Sequence, residues 1–188
     1  DTRLLEAHMR VMTEKGDVRG AVAGVLSHMM DGGTSMEAFI KAWGGMPNAS
    51  KTILFRDPRV ASIQHELNRL YRVAKRLEPF VKISKTPGGV DFAKVGHLGT
   101  AAAMWWHFWP ALTMLAGAGG ASRVISSPRY LRWITAVPQA VGKGPGSPEA
   151  QRHLARLAAI AAADQQYGPQ IMEAAKQMLM PPERNVQN

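Results

Sequence analysis

Apolar residues recur at helical spacing along nearly the whole chain. Leu4, Leu5, His8, Val11 and Met12 form one stripe. Gly16-Asp17 ends that helix and caps a second, in which Val18, Ala21, Val22, Val25, Leu26 and Met29 line one side. Gly20 and Gly24 lie four apart in this second helix and lower its propensity, so the close approach of a neighbouring helix is the expected reason for them. Asp31-Gly-Gly stops it. Thr34 or Ser35 caps a short third helix with Met36, Phe39, Ile40 and Trp43 on its apolar side, and Gly44-Gly-Met-Pro47 breaks that one.

Asp57-Pro58-Arg59 is a helix start, an N-cap followed by Pro in the first turn. The helix is expected to run to about Glu78, ahead of Pro79. Its apolar face holds Val60, Ile63, Leu67, Leu70, Tyr71, Ala74 and Leu77. Thr86-Pro-Gly-Gly-Val90 reads as a loop or short hairpin turn. A long apolar helix follows from Phe92 to about Leu115. Ser127-Pro128-Arg129 and Ser147-Pro148-Glu149 repeat the cap-then-Pro device. The first opens a short helix with Tyr130, Leu131, Trp133 and Ile134. Pro138 and Gly142-Lys-Gly-Pro-Gly146 read as linker. The second opens a final helix through Leu154, Leu157 and Ile160, kinked at Gly168-Pro169 and continuing through Ile171, Met172, Ala175, Met178 and Leu179.

No stretch alternates with period two, so the expected fold is all-α: six or seven helices, one of them long, apolar and rich in Ala, Gly and Trp. The regions expected are an N-terminal helical hairpin (1–46), a basic helix with the apolar central helix and a short Trp helix (47–141), and a linker with the kinked C-terminal helix (142–188).

The central run changes the picture most. From Val95 to Ser122, 28 residues pass without an Asp, Glu, Lys or Arg. That length can cross a bilayer as a helix. Yet Ala and Gly supply little burial energy, and His107 and Pro110 lie near its middle. Trp105, Trp106, Phe108 and Trp109 cluster mid-run, whereas membrane Trp favours the interfaces. Met104, Trp105, Trp106, Phe108, Trp109 and Leu112 are therefore expected to pack against a core, a partner subunit or, at some stage, lipid. The expectation is a helix shielded by protein in one state and able to meet lipid in another.

Charge is unevenly placed within the net +9. Residues 51–85 hold nine Lys/Arg against three acids, and residues 122–156 hold six against one. These basic blocks flank the uncharged run. They point to phosphates, anionic headgroups or an acidic protein face. The candidate contacts are Arg69, Arg72, Lys75, Arg76, Arg129 and Arg132. No residue pattern for reading base edges can be picked out, so nucleic-acid contact would be non-specific.

Candidate chemistry adds nothing. There is no Cys, hence no disulfide and no thiolate site, which fits a reducing compartment or a particle interior. The six His form no zinc pattern, and the acids form no pair suited to acid–base work. No Gly-rich phosphate loop occurs. The reading assigns no catalytic, cofactor or metal residue and no enzyme activity. The chain begins with Asp and is expected to be a piece of something longer.

The stretch Ala116-Gly-Ala-Gly-Gly-Ala-Ser-Arg-Val-Ile-Ser-Ser-Pro-Arg-Tyr-Leu-Arg-Trp-Ile134 resembles segments late in the large internal or ejection virion proteins of short-tailed bacteriophages. The resemblance covers about 40 residues, and Ala, Gly, Ser and Pro carry much of it. It implies a non-enzymatic helical region of a protein stored in the capsid that leaves with the DNA. Such a region would assemble with its own copies and other virion proteins into a conduit across the host envelope. DNA or anionic membrane would be non-specific partners. A capsid or tail structural protein without an ejection role, and a cellular basic helical nucleic-acid binder, stay open as alternatives.

Overall fold

The computed structural model describes residues 2–29, 35–84, 92–144 and 146–179. Within them the chain is helical throughout, with no strand. The helices are α1 (Thr2–Glu14), α2 (Val18–Met29), α3 (Met36–Gly45), α4 (Asn48–Leu54), α5 (Pro58–Ser84), α6 (Phe92–Ser126), α7 (Pro128–Ala140), α8 (Pro148–Ala161) and α9 (Gly168–Leu179).

Among the described residues nine helices replace the expected six or seven, for local reasons. Residues 48–54 form a two-turn helix of their own after Pro47, with Leu54 buried. Gly168-Pro169 is a helix start, not a kink. The Asp164 side chain accepts a hydrogen bond from the Tyr167 backbone N–H (3.2 Å), and this tight turn separates α8 from α9. Two helices also run past a proline expected to stop them. α5 continues beyond Pro79, where packing of Leu77 and Phe80 on the core outweighs the lost backbone bond. α7 includes Pro138, buried between Val137 and Val141. The turn expected at 86–90 lies outside the described residues.

The caps read from sequence are present in two of three forms. The Ser147 hydroxyl accepts from the Ala150 N–H at 3.2 Å, whereas Ser127 makes no side-chain cap bond. Asp57 accepts from the Arg59 N–H (2.8 Å) and pairs with its guanidinium (2.7 Å), which lowers its pKa to about 2. Ser35 caps α3 through the Ala38 N–H.

α6 is the centre of the molecule. It packs against α2, α5, α7 and α9. A helix covered on so many sides has no reason to carry a charged face, which explains the uncharged run. Trp105, Trp106, Phe108 and Leu112 are all buried in the chain's own core. The Trp105 indole N–H donates to the Ile134 carbonyl at 2.7 Å. Met104 and Trp109 sit on the same helix, but their side chains lie outside the described residues. The spanning expectation is corrected: among the described residues no helix is long and apolar enough to cross a membrane. The length is there, but Ala and Gly dilute the hydropathy. α6 also runs on to Ser126 instead of ending near Leu115. It deviates at Gly117, whose φ of 63° is in the left-handed region, beside the exposed Met114 and Leu115.

α7 is tied into this core by aromatic contacts. Trp133 stacks on His153 of α8 (centroids 4.9 Å apart, 12° between planes) and meets Phe108 of α6 at 5.8 Å. The Trp133 indole N–H donates to the His153 carbonyl (2.9 Å), and His153 Nε2 lies 3.0 Å from the Trp133 carbonyl. A carbonyl only accepts, so Nε2 carries the proton. Burial holds the His153 pKa below the ordinary value, so the ring is neutral near pH 7.

A polar knot, with Asp164 and Tyr130 buried and Arg123 half-exposed, joins α6, α7 and the α8–α9 turn. Arg123 Nε donates to Asp164 Oδ2 at 2.6 Å, and the Tyr130 hydroxyl reaches the same oxygen at 3.4 Å. Burial works to raise the Asp164 pKa, but the hydrogen bonds from Arg123 and the Tyr167 backbone outweigh it and hold it low. Burial, then the Asp164 charge, pushes Tyr130 up to about 12.

The glycines of α2 do not serve a close helix contact. A methyl at Gly24 would meet nothing within 4 Å, and one at Gly20 would meet only the side chain of Asp17, which already accepts from the Gly20 N–H. Gly24→Ala is therefore expected to stabilise the fold by about 0.5–1 kcal/mol, since helical Gly costs unfolded-chain entropy with no compensating contact. Thermal unfolding followed by circular dichroism measures this; a lowered midpoint would show that α2 needs its flexibility.

Candidate anion-binding face

The six cations singled out in the sequence do not form one set. At about 100° per residue, His65, Arg69, Arg72 and Arg76 fall within about 60° of arc on α5. All four are exposed, on the side opposite the buried Ile63, Leu67, Leu70, Ala74 and Leu77. Their i, i+4, i+7, i+11 spacing makes a row parallel to the helix axis. Arg69 and Arg76 stand about 10 Å apart along it by helical rise. No ion pair among the described residues engages Arg69, Arg72 or Arg76. Lys75 points to another side of α5 and is spent on Glu78 (2.7 Å), which holds its pKa above the ordinary value.

α7 packs beside α5. Its Arg132 lies 3.6 Å from Glu66, on the turn before Arg69, and its Nε also donates to the Pro128 carbonyl. Arg132 thus marks the seam between the helices but is partly neutralised. Glu66 Oε2 is buried with no hydrogen-bond partner among the described residues. Arg129, one turn earlier, is exposed and has no ion-pair partner among the described residues.

On its other side α7 packs on α8. Here sequence reading missed two cations, Arg152 and Arg156, both exposed and one turn apart. The i, i+4 spacing was visible, but only the fold sets them beside α7. Between the two helices lies a trough of about 430 Å³, lined by Ala136, Gln139 and Ala140 of α7 on one side and by Arg152 and Arg156 of α8 on the other. A larger groove of about 700 Å³ lies between α1 and the α4–α5 joint, but Glu6, Glu14 and Asp57 balance its Arg3, Arg10 and Arg56. Glu6 and Arg56 already pair at 3.3 Å. Among the described residues no group of three His, Asp or Glu is arranged to hold a metal ion.

The outcome is a face built by α5, α7 and α8 on which guanidinium groups outnumber carboxylates. Such a surface attracts polyanions through Coulomb energy and counterion release. Comparison with protein-family models, with curated proteins and with solved structures found no match.

Proposed function

We propose that the chain is a helical module that holds the phosphate backbone of nucleic acid without reading its sequence. The observation that carries this is the row of Arg69, Arg72 and Arg76: on one side of α5, exposed and free of carboxylate partners among the described residues. Cations spaced along one side of a helix suit a line of phosphates better than a compact small anion. Base-edge readers are missing from the row, so affinity should come from charge and depend steeply on salt.

The narrower reading is a region of a short-tailed phage ejection protein that leaves the capsid with the DNA and assembles into a conduit. It is supported by the resemblance of residues 116–134. That stretch forms the α6–α7 corner, which supplies Tyr130 and Trp133 to the core and pairs Arg123 with Asp164. A segment of that kind fits a structural region. The basic face would then lie toward the DNA.

The test is the salt dependence of binding to a short duplex, followed by fluorescence anisotropy. If Arg69, Arg72, Arg76 and Arg129 each neutralise one phosphate, the slope of log K against log salt should be about −3.6, from ~0.9 per phosphate. The triple variant R69Q/R72Q/R76Q should flatten it to about −1. Lys75→Gln should leave it unchanged. A slope that the triple variant does not alter removes the α5 row from the function.

A further inference from the structure

The α7–α8 trough differs in kind from the α5 row. The row lies along the exposed side of one helix, whereas the trough is a shallow depression of about 430 Å³ between two helices. Its two guanidiniums are not equivalent. Arg152 is held: its Nε donates to the Pro148 carbonyl (3.2 Å) and its Nη2 to Glu149 (3.4 Å), leaving further N–H groups of a fixed fork unspent. Arg156, one turn on, has no partner among the described residues.

Glu149, the only carboxylate lining the trough among the described residues, would repel an anion were it not engaged. Lys143 takes it at 2.8 Å, and this bond holds its pKa below the ordinary value. Gln139 on the opposite wall makes no side-chain hydrogen bond among the described residues, so its amide can donate to a phosphate oxygen or meet a base edge. His153 in the wall is neutral and tied to Trp133, so it adds no charge.

We propose that this trough is a discrete phosphomonoester site, in which the Arg152 and Arg156 forks grip a terminal phosphate and the Gln139 wall receives the attached nucleoside. A phosphomonoester is the fitting anion: it carries nearly two charges at neutral pH and three acceptor oxygens, matching two forks. Its source is a free mononucleotide or the phosphorylated end of a strand. The inference extends the backbone-binding reading without depending on it, because a mononucleotide cannot bridge the α5 row.

The experiment is an NMR titration of the uniformly ¹⁵N-labelled chain at fixed ionic strength, with dAMP, inorganic phosphate and deoxyadenosine. The expected result is saturable shifts of the Arg152 and Arg156 Nε signals with dAMP and phosphate, joined by the Gln139 side-chain amide with dAMP. Arg156→Gln should weaken dAMP binding roughly tenfold, the loss of one charge-assisted fork. The R69Q/R72Q/R76Q variant should bind dAMP as the parent does. A 5′-phosphorylated oligonucleotide is then compared with its unphosphorylated twin. An advantage that Arg156→Gln abolishes assigns the strand end as the source, and no advantage assigns the free nucleotide. Three results would overturn the site: deoxyadenosine shifting the same signals as strongly, Arg156→Gln leaving the affinity intact, or the triple variant abolishing the dAMP response. None of these bears on the salt slope of duplex binding, so the two readings fail separately.

Discussion

Replacing Trp133 by Ala is expected to lower the unfolding free energy by about 3–5 kcal/mol, a large part of the stability of a domain this size. The indole is 4% exposed and holds three helices together: it lies on Phe108 of α6, belongs to α7, and stacks on His153 of α8. Truncation leaves a cavity in a core that cannot collapse around it. It also removes the second hydrogen bond to the His153 carbonyl, which accepts the indole N–H beside its own bond within α8. Trp133→Phe separates these causes. It keeps most of the ring but removes the donor, and should cost about 0.5–1.5 kcal/mol for the lost hydrogen bond, because the His153 carbonyl keeps its bond within α8. Trp106→Phe is the matched control, because the buried Trp106 indole N–H has no partner among the described residues and its loss breaks no bond. Urea unfolding of the three variants should rank Trp133→Ala lowest, then Trp133→Phe, then Trp106→Phe. Equal midpoints for the two Phe variants would show that the Trp133–His153 hydrogen bond contributes nothing.

The all-α class was legible because apolar periodicity is a local property, and so were Asp57 and Ser147 as caps. The helix count was not. Whether Gly168-Pro169 kinks a helix or starts one depends on Asp164 folding back onto the Tyr167 N–H, a contact set by its ties to Arg123 and Tyr130 far along the chain. Pro79 and Pro138 misled for the same reason, since tertiary burial of Phe80 and Val137 overrode a local penalty. The uncharged run of α6 could be recognised as unusual, but its surroundings could not be read from it. A helix buried on most sides by protein and one facing lipid share one pattern, and only the packing of α2, α5, α7 and α9 decides between them. For the basic face, composition found the charge and the helical wheel finds its direction. The trough needed α7 set against α8, which no spacing within either helix encodes.

That α8–α9 joint is also where a single methyl should do the most damage. A Cβ on Gly168 would be driven into the backbone carbonyl of Ala161, closer than any real Cβ approaches an oxygen. Neither atom can step aside cheaply. The Ala161 carbonyl accepts from the Asp164 N–H (2.9 Å), and the Gly168 N–H donates to the Asp164 carbonyl (2.9 Å). Relief requires α9 to swing away from α8, taking Ile171, Ala174, Ala175, Met178 and Leu179 out of register with α6. Gly168→Ala is therefore expected to cost at least about 3 kcal/mol, the upper end of overpacking penalties. Gly119→Ala is the informative comparison. Its methyl would also clash, but with the Tyr167 hydroxyl, the free end of a side chain that can rotate off its Gln166 contact. The cost there should be clearly smaller, and the difference measures backbone against side-chain compliance at one joint. Thermal and urea unfolding of both variants tests this. If Gly168→Ala unfolds within about 1 kcal/mol of the parent, the turn is more compliant than its hydrogen bonds imply, and the rigid α8–α9 joint must be abandoned.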